Sequence, residues 1–374
     1  MRSVRSASSL WLLLVAFVVP LVVGGCDSSP SAGGGSGGDS DPIFNTSNCT
    51  IPTSRLVSGC QGGADCIPSI DGITPDDDRI VSVQGTASLS DNSRVIGIVV
   101  GDRALAVPHS ILWTHEIVNV DDWGGRSFAI TYCPLTGSSL AFDRSVVDGA
   151  EFGVSGLLFD NNLVMYDRRD RQSLWPQMSR RATCGADVGA SLSMVPLVEM
   201  RWNRWRQLHP DTRVVSDGGG FNRTYPYGNY ESPNTDPLVD MPDDVLDTRR
   251  ALKERVLGLP NGSGGGIALP FGELAKSGDV SVVRVPAGGT QATVFWNGDA
   301  QAARAFETSR SFSVRDGQIV DDATGSVWSV EGRAIEGSLA GQGAQLTPLD
   351  AGYVAFWFAW AAFQPDTVIW THDG

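Results

Sequence analysis

The feature that most constrains the fold of this chain is an internal repeat, in which short motifs of the first half recur in order in the second half. Each match lies roughly 150 to 165 residues further along, so both order and spacing are kept. The matched motifs begin at Arg94 and Arg255, Ala106 and Ala268, Ala129 and Ala292, Ser173 and Ser326, and His209 and Gln364. The repeat predicts a first lobe at 80–235 and a second, degenerate lobe at 240–372, joined by the Pro/Asp-rich stretch 233–247.

Within each lobe the local pattern is that of strands joined by tight turns. Apolar runs at 95–100, 103–107, 127–132, 139–143, 151–158 and 163–166 are separated by turn residues such as Gly101 and Asp102. Helices are expected to be few: one at 200–208, with Trp202 and Trp205 facing the core, and its counterpart at 353–363. The predicted fold class is therefore α+β and β-rich, with two similar lobes from an internal duplication and few short helices.

Residues 1–26 are expected to be a lipoprotein signal peptide rather than part of the fold. Arg2 and Arg5 precede the apolar run 10–23, which is too short for a comfortable membrane span. Small residues then lead to Cys26, which predicts cleavage before Cys26 and its acylation; an ordinary signal peptide or an uncleaved anchor is the alternative. The Ser/Gly/Asp-rich stretch 27–45 would be a flexible tether. We expect a cell-envelope protein that contacts membrane lipid through Cys26.

The charge of the chain argues against one class of partner. Its formal net charge is −14, and its only lysines are Lys253 and Lys276. Such an acidic chain is not expected to bind nucleic acid, whose phosphates attract basic surfaces. The sequence does not identify a cofactor, and the expected partner is an unknown small molecule or protein.

The cysteines fit an oxidising compartment. Cys49, Cys60 and Cys66 lie close together in an N-terminal segment at 46–79, so we expect a disulfide between two of these three. Cys133 and Cys184 follow, and the odd number beyond Cys26 leaves one thiol over or bridged between chains.

The two halves differ in their reactive side chains. The second half has Trp296 near the place of Cys133, and it has no counterparts to the first half's histidines His109, His115 and His209. Any site is therefore expected in the first lobe or at the seam between the lobes.

Several motifs of the first half together resemble a known family. They are the stretches 113–119, 131–137, 152–158, 163–168 and 173–175. In this order they identify the chain as similar to the domain-of-unknown-function family 3179, closely over about residues 60–230 and more loosely beyond. The resemblance implies no established activity. Family members often have a second cysteine three residues after the one matching Cys133; Thr136 stands there, which excludes a CxxC dithiol in this chain.

Cys133 and His115 are the candidate catalytic residues. Cys133 follows a strand and opens a turn, as a nucleophile, redox thiol or metal ligand would. His115 is expected on a strand, where it could orient or deprotonate the thiol, and Met165 could complete a Cys/His/Met copper set. The alternatives are a buried Cys133, a hydrogen-bonded His115 and a Met165 that packs in the core.

Arg144, Asp167 and Arg168 are candidate ligand-binding residues, since together they could hold an anionic group; solvated ion pairs are the alternative. Two functions follow from the sequence. The first is a membrane-tethered ligand-binding or scaffold module with its site in the first lobe. The second is an extracytoplasmic thiol- or metal-dependent redox or metal-handling protein centred on Cys133 and His115.

Overall fold

Antiparallel hairpins carry the fold, as the apolar runs and turn residues predict. The computed structural model describes residues 44–373, apart from 171, 263 and 350. The predictions for the signal peptide, for Cys26 and for nearly all of the tether lie outside the described residues. Among the described helices, none combines the length and the apolar character that a membrane span requires.

The elements fall into two series along the chain. The first series is β1 (Leu56–Ser58), β2 (Ile70–Ile73), β3 (Ile80–Ser82), β4 (Arg94–Val100), β5 (Arg103–Pro108), α1 (His109–His115), β6 (Ile117–Trp123), β7 (Arg126–Cys133), β8 (Ser138–Asp143), β9 (Phe152–Phe159), β10 (Asn162–Asp167), β11 (Ser173–Pro176), β12 (Cys184–Gly185), β13 (Val198–Arg201), α2 (Trp202–Leu208) and β14 (Arg213–Val215). The second series is β15 (Arg255–Pro260), β16 (Gly265–Pro270), α3 (Phe271–Lys276), β17 (Val280–Ala287), β18 (Thr290–Asn297), β19 (Ala302–Glu307), β20 (Phe312–Arg315), β21 (Gln318–Asp321), β22 (Val327–Trp328), β23 (Ala334–Glu336), β24 (Thr347–Pro348), β25 (Tyr353–Phe356), α4 (Trp357–Phe363) and β26 (Asp366–Ile369).

Each series forms its own sheets. The first series forms sheets in the orders β1-β9-β10-β11-β12, β13-β4-β5-β14-β3 and β2-β6-β7-β8. The second forms β25-β15-β16-β26, β17-β18-β19-β24 and β20-β21-β22-β23. The strand-rich architecture with a few short helices confirms the predicted fold class.

Two of these sheets have the same arrangement. In one, β13 pairs antiparallel with β4 of the β4–β5 hairpin, and β14 pairs parallel with β5. In the other, β25 pairs antiparallel with β15 of the β15–β16 hairpin, and β26 pairs parallel with β16. Short helices follow the corresponding strands in both, α1 and α2 in the first and α3 and α4 in the second. The duplication of the chain stays a prediction, which this likeness favours.

The predicted strands of the first half are confirmed to within a residue or so, but both predicted helices begin late. The helix expected at 200–208 begins at Trp202, because Arg201 still pairs with Arg94 in the sheet. The helix expected at 353–363 begins at Trp357, because Phe356 pairs with Arg255. The first residues of each amphipathic segment thus form a strand, because they pair with a neighbouring strand, and the helix begins after them.

The two halves share their hydrophobic cores. One apolar cluster contains Phe128 of the first half and Phe306 of the second, and another contains Phe152 and Phe358. Backbone hydrogen bonds also cross between the halves, for example from Phe356 N to Thr136 O at 2.8 Å. The described residues belong to one compact unit. The seam between the halves is therefore a buried region, in which side chains of both can meet.

Two disulfides connect the N-terminal segment. Cys60 pairs with Cys66, which confirms the bridge expected among the three clustered cysteines. Cys49 pairs with Cys184, 135 residues away in sequence, and ties this segment to β12. Cys133 is the free, buried cysteine of the described residues, as the odd number predicts.

Candidate functional site

Cys133 ends β7 and its thiol is fully buried. Its Sγ lies 3.5 Å from Asn161 O and accepts a hydrogen bond from Leu163 N at 3.4 Å. Burial, helped by the nearby Glu116 carboxyl, raises the pKa of the thiol to about 11. At neutral pH the group is a protonated thiol, whereas nucleophiles and metal ligands are thiolates.

His115 does not lie on a strand, so that part of the prediction is wrong. It is the last residue of α1, and Glu116 ends the helix with a φ of 57° before β6 begins. The ring Nδ1 lies 2.7 Å from Pro68 O and Nε2 lies 3.0 Å from Asp217 Oδ2. Both ring nitrogens are thus engaged, and neither has a hydrogen bond with Cys133.

Met165 lies in β10, fully buried in the same apolar cluster as Cys133. The structure therefore brings Met165 and Cys133 into one cluster while His115 is engaged elsewhere. Within the described part of the chain, no group of three or more His, Cys, Asp or Glu side chains is placed to hold a metal ion.

Arg168 and Arg144 are each neutralised by the protein's own carboxylates. Arg168 forms ion pairs with Asp65, at 2.9 Å, and with Asp71. Arg144 is 1% exposed and forms an ion pair with Asp121. Both guanidinium groups are thus paired with carboxylates, although Arg144 Nε and Nη1 are buried without a partner in the described chain.

Asp167 is fully buried and serves a different cluster. Its Oδ2 accepts hydrogen bonds from Trp175 Nε1 at 2.9 Å and from Ser173 N at 3.0 Å, and its Oδ1 accepts one from Arg169 Nε at 2.8 Å. These partners hold β10 and β11 together. The three predicted ligand-binding residues thus do not form one anion site.

The structure instead shows a buried polar cluster around Glu199, whose side chain is fully buried on β13. Glu199 forms an ion pair with Arg255 of β15, and its Oε2 accepts a hydrogen bond from Ser139 Oγ at 2.7 Å. Arg94 Nη1 lies 3.9 Å and His109 Nε2 lies 3.5 Å from the carboxylate oxygens. Burial alone would raise the pKa of Glu199, but the positive charges of Arg255 and Arg94 lower it well below the usual range. Glu199 is therefore ionised.

His109 and Tyr132 form one wall of this cluster. Their ring centroids are 4.1 Å apart, and both side chains are buried. Burial lowers the pKa of His109, so its ring is neutral at neutral pH, although Glu199 acts in the opposite direction. His109 Nδ1 has no hydrogen-bond partner within the described chain, and neither has the hydroxyl of Tyr132. Buried polar groups are normally paired, so these are unusual.

A cavity of about 410 Å³ borders the cluster, and Arg94 lies on its wall. The residues that line it are Arg94, Trp113, Tyr225, Gly228, Asn229, Glu231 and Ser232. The rings of Trp113 and Tyr225 meet edge to face at 5.0 Å. The indole N–H of Trp113 and the hydroxyl of Tyr225 are also buried without a partner in the described chain. We call Arg94, His109, Tyr132, Glu199 and Arg255, together with this cavity, the Glu199 site.

The sequence held little signal for the Glu199 site. His109 is one of the histidines without a counterpart in the second half. Glu199 belongs to no motif, and the repeat aligns Arg94 with Arg255 as equivalent residues rather than as neighbours. Their charges come together only because β4, β13 and β15 meet at the seam.

Lys253 is a second buried cation at the seam. Its Nζ has no hydrogen-bond partner in the described chain and lies 3.8 Å from the ring centroid of Tyr230 and 4.1 Å from that of Phe358. Burial lowers the pKa of this amine to about 7. The aromatic rings contact the charged amine, and the charge of Asp236 also favours its protonated form.

Comparison with known proteins adds a family and no activity. The model of a family described as "Protein of unknown function (DUF3179)" matches residues 64–367, which includes both halves of the described body. No curated protein and no solved structure matches the chain.

Proposed function

This chain belongs to the DUF3179 family, and the description of that family assigns no activity. From the chain's own site we propose that the protein binds a small polar molecule at the Glu199 site. The binding body would be held outside the cytoplasm by a lipid on Cys26, with the stretch 27–45 as the tether.

The observation that carries this proposal is the concentration of unpaired buried hydrogen-bonding groups at one place. Tyr132 Oη, Tyr225 Oη, Trp113 Nε1, Arg255 Nε and His109 Nδ1 lack partners in the described chain. A buried polar group without a partner costs about 1–3 kcal/mol. Most of these groups are donors. A ligand rich in hydrogen-bond acceptors would satisfy several of them at once.

The cavity has the size and charge that such a ligand needs. The cavity is wide open to solvent, and its volume of about 410 Å³ lies within the range of roughly 300–1,000 Å³ that is typical of small-molecule pockets. Arg94 and Arg255 are balanced by Glu199 and Glu231. The site is therefore polar but nearly neutral as a whole, which suits a small polar molecule better than a highly charged one.

The position of the site supports a ligand-binding module more than a thiol or metal centre. Its buried cluster includes Arg255 of the second half, and the segment that carries Tyr225 and Glu231 connects the two halves. The function centred on Cys133 and His115 has less support. The thiol is protonated and buried, and the histidine is engaged by Pro68 and Asp217.

A panel of small solutes tests the binding proposal. We expect at least one sugar, polyol, hydroxy acid or amino acid, at about 10 mM, to raise the melting temperature of the purified protein by about 2 °C or more. Tyr225→Phe should reduce this shift, because it removes an unpaired hydroxyl from a residue that lines the cavity. Tyr353→Phe is the matched control, since Tyr353 also has a buried unpaired hydroxyl but does not line the cavity. A panel without any shift, or equal effects of the two variants, would contradict the proposal.

The tether is tested separately. In the native host, Cys26→Ser should abolish labelling by a radioactive or clickable fatty acid and release the body from the membrane fraction. Cys133→Ser is the control and should leave labelling unchanged. Labelling that persists in Cys26→Ser would exclude the lipid anchor.

A further inference from the structure

We infer that the ligand of the Glu199 site is a hydroxylated monocarboxylate of the sugar-acid type, whose carboxylate replaces the Glu231 side chain on Arg94. This inference rests on the proposed function and specifies its ligand class. In the structure as it stands, Glu231 occupies the place of the ligand's acid group.

Arg94 and Glu231 form the closest ion pair on the wall of the cavity. Arg94 Nη2 lies 2.6 Å from Oε1 and 2.5 Å from Oε2 of Glu231, so one guanidinium nitrogen meets both carboxylate oxygens. Both residues line the cavity. A ligand carboxylate that enters the cavity finds this arginine directly, and guanidinium groups bind carboxylates with strong, charge-assisted hydrogen bonds.

The charges of the cluster set the charge of the ligand. Glu199 is ionised and is already matched by Arg255, so Glu231 supplies the single negative charge that remains opposite Arg94. Exchange of Glu231 for another monoanion keeps this balance. A neutral ligand that displaced Glu231 would leave Arg94 unpaired, and a dianion would bring a surplus negative charge close to Glu199.

The unpaired hydrogen-bond donors indicate which groups the ligand should carry besides its carboxylate. Trp113 and Tyr225 line the cavity, and Trp113 Nε1 and Tyr225 Oη have no hydrogen-bond partner in the described chain. Hydroxyl oxygens of a ligand can accept hydrogen bonds from both groups. A carboxylate that carries several hydroxyl groups therefore matches both the arginine and the donors, whereas a plain fatty acid matches the arginine alone.

Glu231 can leave while its chain segment stays in place. No helix or strand is described between β14 and β15, and the Glu231 side chain is 30% exposed. Its neighbour Tyr230 is buried and donates a hydrogen bond to Leu135 O at 2.9 Å. With Tyr230 as an anchor, a rotation of the Glu231 side chain into solvent is enough to free Arg94.

Calorimetric titration of the full chain with gluconate and with sorbitol tests the inference at neutral pH. The two probes have similar size and hydroxyl content, and only gluconate carries a charge. We expect gluconate to bind at least about tenfold more tightly than sorbitol. Glu231→Gln removes the competing carboxylate and should tighten gluconate binding by about fivefold or more, with little effect on sorbitol. Arg94→Gln should abolish the preference for gluconate.

Asp91→Asn is the matched control, because it removes a carboxylate from an exposed ion pair with Arg206, which is also 2.5 Å long. It should leave both affinities unchanged. Melting curves of each variant establish that it is folded, and Glu231→Gln keeps the test valid even if Arg94→Gln does not fold.

The outcomes separate the inference from the proposed function. Equal binding of gluconate and sorbitol, or tighter binding of inorganic phosphate than of gluconate, would overturn the carboxylate inference and leave a polar ligand site. Unchanged gluconate affinity in Glu231→Gln would overturn the displacement of Glu231. If neither probe binds while another solute of the panel does, only the inference fails. If no solute binds at all, the proposed function fails as well.

Discussion

Trp205 and Trp360 make the same two contacts in two different sheets. The ring of Trp205 covers Gly97 of β4, and its Nε1 donates a hydrogen bond to Thr212 Oγ1 at 2.9 Å. The ring of Trp360 covers Gly258 of β15, and its Nε1 donates to Thr367 Oγ1, also at 2.9 Å. In each half a glycine gives an indole room to lie directly on the backbone of the central hairpin.

These glycines are expected to tolerate no side chain. A Cβ on Gly97 would lie 2.1 Å from Trp205, and one on Gly258 would lie 2.1 Å from Trp360. Gly97→Ala and Gly258→Ala should each lower the free energy of unfolding by about 2–4 kcal/mol, because a fully buried indole must move. Denaturant unfolding measures the loss. Gly341→Ala is the control, since a Cβ there meets nothing within 4 Å and should change stability by less than about 0.5 kcal/mol.

The two disulfides are expected to differ in their contribution. The Cys49–Cys184 bridge spans 135 residues and the Cys60–Cys66 bridge spans 6. If loop closure in the unfolded chain dominates, the long bridge contributes about 5 kcal/mol and the short one about half as much. Replacement of both cysteines by serine in each pair, followed by thermal unfolding, should lower the melting temperature more for the long bridge. An equal or reversed order would show that the entropy of the unfolded chain does not control the effect.

Cys133 is expected to be unreactive in the folded protein. Its thiol is fully buried and has a pKa of about 11. Protein that lacks residues 1–26 should show almost no reaction with a thiol reagent such as DTNB at pH 8. The same protein in denaturant without a reductant should show about one thiol per chain, since the other four cysteines are in disulfides. Rapid reaction before unfolding would instead favour the thiol-dependent function.

Lys253 is expected to make stability rise with pH above neutrality. Burial lowers its pKa in the folded protein to about 7, from 10.5 in the unfolded chain. Between these values the unfolded state binds a proton that the folded state does not, so the free energy of unfolding rises with pH across this window. Lys253→Met should weaken that rise and, at pH 7, stabilise the fold by about 1–3 kcal/mol.

Lys276→Met is the control for that measurement. Lys276 is the only other lysine of the chain, and its side chain is 56% exposed in an ion pair with Glu273. Its replacement should leave the rise of stability between pH 7 and 10 intact. If both variants show the same pH profile, Lys253 is not the group responsible.

Much of the fold could be predicted because its signals are local. The turn residues between β4 and β5 and between β7 and β8 indicated hairpins that the structure confirms. The prediction of a strand at His115 was wrong. The apolar residues there belong partly to α1 and partly to β6, and the change of direction depends on a left-handed backbone at Glu116. A non-glycine residue in that conformation gives no sequence signal.

By itself the sequence determined the family, the strand-rich hairpins, the presence of a disulfide among the clustered cysteines and the fact that one thiol is left over. All of these depend on neighbours within a few residues or on motifs in fixed order. Only the tertiary structure decided where charge is buried. Glu199 meets Arg255, 56 residues further on, and Arg94 meets Glu231, 137 residues away. The sequence does not show whether a charged side chain faces solvent or a buried seam. The energy of that charge depends on the groups that long-range packing places around it.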